Sequence, residues 1–165
     1  FKKEGKVYNV ETGRRIAAIL PIHVFGIPGD IFQIKEIAKE WNLPIVEDAA
    51  EALGSRHFIS KNSYSHCGLT GEMGIISFNG NKLITTGGGG IVITNNDSHA
   101  AKCRHLSTTA KINHKWEFDH DEIGWNDRMP NLNAALGLSQ LKLLKKSLNR
   151  KRKIFAAYKL SLIHI

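Results

Sequence analysis

Cysteine is scarce here, with only Cys67 and Cys103 in 165 residues, and their spacing marks neither a metal site nor a redox pair. A disulfide scaffold is thereby excluded, and the two thiols suit a reducing cytoplasm. Long apolar runs are missing too. The longest, from Ile16 to Ile22, contains Pro21 and falls well short of the ~20 residues a membrane span needs. No secretory leader is visible, and no internal repeat or low-complexity linker appears. Neither G-x-G-x-x-G nor G-x-x-x-x-G-K-[ST] is satisfied at any register.

Acidic residues are absent from one stretch in particular. Between Lys142 and Lys153 lie seven cations (Lys142, Lys145, Lys146, Arg150, Lys151, Arg152 and Lys153) and no acid. Taking those seven from the formal charge of +8 leaves +1 for everything else. The basicity therefore belongs to one helical segment and is not spread as a nucleic-acid footprint. It reads as a solvated helix face; the rival is a nucleic-acid module whose affinity would fall steeply with salt.

What is present suits one domain of about the size that buries ~70% of its unfolded surface. Val7 to Glu11 reads as a short strand or hairpin arm before Gly13. Ile16 to Pro21 reads as a buried strand ending at His23-Val24-Phe25-Gly26. Pro28-Gly29 marks a turn and Asp30 an N-cap, and Ile31, Ile34, Ile37, Ala38 and Trp41 carry a helix to Trp41. A strand over 44–48 completes a βαβ unit. The polar segment from Ser55 to Gly71 reads as an excursion before the strand that leads to Ser77. Ile91 to Thr94 is a further strand, and Asp97 or Ser98 opens a helix towards Leu106. The segment 107–123 is irregular and rich in His and acids, but its spacings suit no common metal site. Asn131 caps a long helix that the charged segment extends towards Tyr158.

Two stretches carry chemistry. Pro44-Ile45-Val46-Glu47-Asp48 ends an apolar strand on Asp48, and parallel sheets bind ligands outside the carboxyl ends of their strands. Ile75-Ile76-Ser77-Phe78-Asn79-Gly80-Asn81-Lys82 ends a second apolar strand near a lysine, followed by the glycines 87–90, which read as a tight backbone turn. A lysine shielded at such a loop is a better nucleophile, although the stretch by itself also suits a surface lysine beside a glycine turn. A lysine that forms a Schiff base and an aspartate that pairs with the pyridine nitrogen are what pyridoxal phosphate needs most.

Four motifs in order, Glu47-Asp48-Ala49-Ala50-Glu51-Ala52-Leu53-Gly54-Ser55, Ser77 to Lys82, Thr86-Gly87-Gly88-Gly89-Gly90 and Gly124-Trp125-Asn126-Asp127-Arg128-Met129-Pro130-Asn131-Leu132-Asn133-Ala134-Ala135, resemble the DegT/DnrJ/EryC1/StrS family of pyridoxal-phosphate sugar aminotransferases. The likeness runs from about His23 to Tyr158. It implies a fold type I, aspartate-aminotransferase-like large domain, an α/β arrangement on a mostly parallel sheet, incomplete here. Residues 1–158 would be part of that domain and 159–165 a truncated or non-native tail, so the chain reads as an internal fragment.

The resemblance implies that Lys82 is the catalytic lysine and Asp48 the partner of the pyridine nitrogen. Ala50 would lie flat against the ring, Ser77 would bind the cofactor phosphate, and Asn126 would reach the phosphate of a neighbouring subunit's cofactor. Glu51 stands where many members carry Gln or His towards the phenolic oxygen; it would have to be protonated there or point elsewhere. Arg128 and His23 are candidate substrate contacts, His23 serving equally well as a strand-end cap. The implied activity is amino transfer, with glutamate as donor, to a nucleotide-linked keto sugar of the 4-keto-6-deoxy type, for surface polysaccharide or glycoconjugate synthesis. A cytoplasmic homodimer with shared active sites is expected, without nucleic-acid or membrane partners. The alternative is an inactive fragment or interaction remnant of such an enzyme.

Overall fold

The computed structural model describes residues 1–161, so the expectation for the end of the chain lies partly outside the described residues. The chain separates into two compact units, one made of Phe1–Ile76 with Ile91–Arg128, the other of Ser77–Gly90 with the segment from Met129 onward.

The first unit opens on an antiparallel meander of β1 (Lys2–Lys3), β2 (Lys6–Tyr8) and β3 (Arg15–Ile16). The arm expected over 7–11 stops at Tyr8 because Asn9 turns the chain: its Oδ1 accepts the amide N–H of Glu11 at 3.0 Å and of Thr12 at 2.8 Å. Such side-chain capture of the backbone competes with a strand ladder.

The segment expected as a buried strand over 16–21 is instead a narrow extended run. It pairs in parallel with β4 (Val46–Asp48) through Ile19 with Ile45 and Ile22 with Asp48. Val46 donates to the Ile19 carbonyl and Asp48 to the Pro21 carbonyl, each at 2.9 Å. Pro21 has no N–H to return, which shortens the ladder. Leu20 and Ile22 are each 57% exposed, so this run is covered on one side only.

Helix α1 (Ile31–Trp41) follows, as expected, with the Asp30 side chain accepting from Gln33 N at 3.2 Å and Asn42 closing the helix in the left-handed region at φ 53°. Its inner face sets Ile31 and Ala38 on Ile45, with Ile19 and Ile34 packed against them. Full burial of a side chain such as Ile31 is worth about 1.5–3 kcal/mol. The outer face leaves Ile37 in solvent.

Parallel strand β4 then pairs with β7 (Met73–Ser77) in the register Val46 to Met73, Glu47 to Gly74 and Asp48 to Ile75, and β8 (Gly90–Ile93) lies beyond β7. Between them the polar excursion is ordered as the hairpin β5 (Arg56–Ser60) and β6 (Ser63–His66). Its apolar residues Phe58, Ile59 and Tyr64 are exposed, so no buried face imposes the alternation by which strands are read. Helix α2 (Asp97–Ser107) starts one residue after its cap, Asn96, whose Oδ1 accepts from the amides of Ser98 and His99.

The second unit joins the loop 77–90 to helix α3 (Asn131–Ser161). Gly137 is buried against Thr86: a Cβ on that glycine would meet Thr86 Cγ2 at 2.8 Å. Among the described residues no helix is long and apolar enough to cross a membrane.

Candidate active site

Strand β4 sends alternate side chains to opposite faces. Ile45, Glu47 and Ala49 are buried, whereas Val46, Asp48 and Ala50 are half-buried. Asp48 ends the strand with both backbone groups held: its N–H donates to Pro21 O at 2.9 Å and its carbonyl accepts His23 N–H at 3.0 Å. Its Oδ1 accepts the Ala50 amide at 3.0 Å, and Oδ2 has no hydrogen-bond partner among the described residues. A carboxylate fixed at one oxygen and available at the other suits a protonated ring nitrogen. The adjoining Ala50 offers only a methyl group.

Glu51 is exposed and points towards the turn at 24–26, its Oε2 accepting the Phe25 amide at 2.7 Å. Phe25 itself sits in the left-handed region at φ 54°. Asn126 and Arg128 lie on another loop of the same unit and are exposed. Asn126 bridges to Thr108, and Asp127 N donates to Ser107 O at 3.1 Å.

In the second unit, Ser77 ends β7 with its Oγ accepting Asn79 N at 3.2 Å. The loop closes on itself, with Phe78 N bound to Gly89 O at 2.9 Å and Thr86 N to Phe78 O at 3.0 Å. Asn133 of α3 donates Nδ2 to Thr86 O at 2.6 Å. Lys82 stands on this anchored loop, half-buried, with its amide on Asn79 O at 3.0 Å.

His23 turns inward. It is 1% exposed and both ring nitrogens are engaged: Nδ1 accepts Gly29 N–H at 3.2 Å, so Nε2 carries the proton and donates to Glu47 Oε2 at 3.0 Å. The expectation of a substrate contact therefore gives way to an interior role, because neither nitrogen faces solvent.

Glu47 was not singled out from the sequence and is the most engaged side chain of the first unit. Fully buried, it accepts Gly68 N–H on Oε2 at 2.8 Å and the amides of Thr70 and Gly71 on Oε1 at 2.6 Å each, besides His23. Burial alone would push its carboxyl up; the amides of Gly68 and Gly71, then His23 and Thr70, outweigh that and hold it below the ordinary 4.5. A charged residue at the buried phase of a strand's alternation was the signal available.

His57 and Cys67 join this cluster. His57 Nε2 lies 3.7 Å from Glu47 Oε2, beyond hydrogen-bond reach, and is unpaired. Burial, and then neighbouring His23, hold His57 below the ordinary 6.5. Burial and the Glu47 charge push the Cys67 thiol up to about 11, far from the thiolate that nucleophiles and metal ligands require. The donor atoms of His23, His57 and Cys67 lie within 4.8 Å of one another, but His23 Nε2 already spends its proton on Glu47. In the acidic segment, His105 Nε2 pairs with Asp121 Oδ1 at 2.6 Å and Lys102 with Glu122.

The first unit is an α/β unit with Asp48 at the carboxyl end of a parallel strand, where ligands bind in such sheets; Lys82 stands on a loop of the second unit. The chain belongs to the DegT/DnrJ/EryC1/StrS aminotransferase family, whose pattern it matches over residues 5–165. It is 43% identical over 142 residues to the GDP-perosamine synthase of Escherichia coli, covering 86% of this chain and 37% of that protein. Its fold matches the aminotransferase TlmJ from Streptoalloteichus hindustanus at a TM-score of 0.83 with 28% identity, over 94% of this chain and 41% of the other. It also matches DesI, solved in the presence of its TDP-sugar product, at 0.78 with 28% identity, over 91% and 36%. The chain thus spans well under half the length of these relatives.

Proposed function

We propose that this chain carries the cofactor-binding core of a pyridoxal-phosphate-dependent aminotransferase acting on a nucleotide-linked keto sugar. The observation that carries the reading is Asp48, whose carboxylate is held by one oxygen at the carboxyl end of a parallel strand and offers the other. A pyridoxal group, when bound, supplies the electron sink that lets an amino group move between two carbon skeletons. Asp48 would hold the ring nitrogen protonated, Ala50 would leave room for the ring face, and Ser77 would turn its hydroxyl to the phosphate.

Lys82 would hold the cofactor and, once its amine is free, move the proton at the reacting carbon. A base on a loop anchored through Phe78, Thr86 and Asn133 keeps that geometry. Asn126 would complete the phosphate site of a second subunit, which makes the working form a homodimer. Arg128, with its two-pronged guanidinium, suits a carboxylate or diphosphate of donor or substrate. The relatives named for GDP-perosamine and a TDP-sugar product support a nucleotide-sugar substrate, here read as a 4-keto-6-deoxy sugar. Glutamate would be the donor, and the product would enter surface polysaccharide or glycoconjugate synthesis in the cytoplasm.

The test is the absorbance of the protein with pyridoxal phosphate, beside Lys82→Ala. A visible band that borohydride removes, leaving cofactor mass on the peptide with Lys82, is expected of the wild type and not of the variant. A wild-type protein without that band would sink the reading.

A further inference from the structure

Glu47 spends four hydrogen bonds in the interior, directly beside the residue that the proposed chemistry needs. Three come from the amides of 68–71 and the fourth from His23. That histidine lies beside Asp48, and that loop packs on β7, the strand that pairs with Asp48 on its other side. His23 also donates its backbone N–H to the Asp48 carbonyl, and the preceding Pro21 accepts the Asp48 amide. On the other side, Gly68 lies against Gly74, the residue paired with Glu47 on β7, so closely that a Cβ on Gly74 would meet Gly68 O at 2.1 Å. The buried carboxylate thus pins the segment 21–23 and the loop 68–71 to one strand, and the next residue of that strand is Asp48.

We infer that Glu47, through its bond to His23, is a positioning residue that sets where the Asp48 carboxylate meets the ring nitrogen of the cofactor. The inference rests on the pyridoxal-phosphate reading above. A purely apolar residue could have filled the interior under β4. A charge buried there is costly unless every lone pair is satisfied, and here the satisfaction comes from His23, which holds the Asp48 carbonyl, and from a loop packed on β7, the strand paired with Asp48. In Glu47→Gln one end of the side chain becomes an NH2 group. That group opposes either the amides of Thr70 and Gly71 or the Gly68 amide and the His23 ring N–H, so the loop or the histidine must shift.

The experiment compares the affinity of the protein for pyridoxal phosphate and for 1-deazapyridoxal phosphate, in which C–H replaces the ring nitrogen. The two differ only at the atom Asp48 would meet, so a general loss of folding lowers both affinities and leaves their ratio unchanged. Wild type should prefer pyridoxal phosphate by about tenfold or more, the worth of a hydrogen bond to a charged group. Asp48→Ala should bring the ratio to about one.

Glu47→Gln should lower the ratio by about threefold or more. His23→Leu, which leaves Glu47 its three amides should Glu47→Gln fail to fold, should do the same. His23→Gln, which can still donate to Glu47, should restore most of the preference. If Asp48→Ala keeps the wild-type ratio, the reading of Asp48 falls and the inference with it. If Asp48→Ala abolishes the preference while Glu47→Gln and His23→Leu keep it within about twofold of wild type, the inference alone is overturned.

Discussion

His23 and Glu47 stand 24 positions apart in the chain and meet side chain to side chain at 3.0 Å, both buried. The contact joins the run at 19–23 to the strand beside it and places a carboxylate and an imidazole where an apolar pair would be usual. Its energetic weight lies less in the bond itself than in what its loss would expose.

Glu47→Ala would leave three backbone amides and the His23 ring N–H without an acceptor in the interior. An unsatisfied buried donor costs about 1–3 kcal/mol, and here four lose a charged acceptor together. A loss of roughly 4 kcal/mol or more is expected, read as a lower denaturant midpoint. A loss below about 1 kcal/mol would show that the carboxylate is not holding those groups.

Acid should unfold the protein in two stages. His57, held below its ordinary 6.5, binds a proton more readily once unfolded, so stability begins to fall as pH drops below 6.5. Glu47, held below 4.5, contributes stability that is complete above that value and is lost as pH falls through its lowered one. His57→Phe keeps a ring in the same space and removes the unpaired Nε2. It should erase the upper stage, leave the lower one, and be neutral or mildly stabilising near pH 7. Melting temperature measured across the acid range checks both points; an unchanged upper stage in the variant would assign it elsewhere.

Two glycines should answer differently to alanine. A Cβ on Gly74 would sit 2.1 Å from Gly68 O, a backbone atom, whereas a Cβ on Gly80 meets nothing within 4 Å. Gly74→Ala should cost about 3 kcal/mol or yield aggregated protein. Gly80→Ala should change the melting temperature little, by about what 0.5 kcal/mol produces. Comparable losses in the two would mean that the loop at Gly80 is more crowded than its geometry shows.

Local chemistry made much of this legible. Asp30 capping α1, the start of α3 one residue before the place its expected cap at Asn131 implied, the apolar strand that ends on Asp48 and the glycine-rich turn after Lys82 are decided by neighbours within a few residues. Helical spacing, capping and turn chemistry act over just that range. The four ordered motifs likewise carried the family, and with it the roles expected of Lys82, Asp48 and Ser77. The hairpin at 56–66 was not legible, because its exposed apolar residues give no one-sided pattern.

Only tertiary structure decided the interior around Glu47. In the sequence it is one acid of an acidic motif and His23 a histidine at a strand end, equally open to ligand or core. Parallel pairing of the run at 19–22 with β4 brings that ring to the carboxylate. The return of 68–71 then supplies three amides. Whether a charged side chain is a surface group or a buried anchor depends on which distant backbone groups arrive to satisfy it, and that is settled by the long-range topology of the sheet.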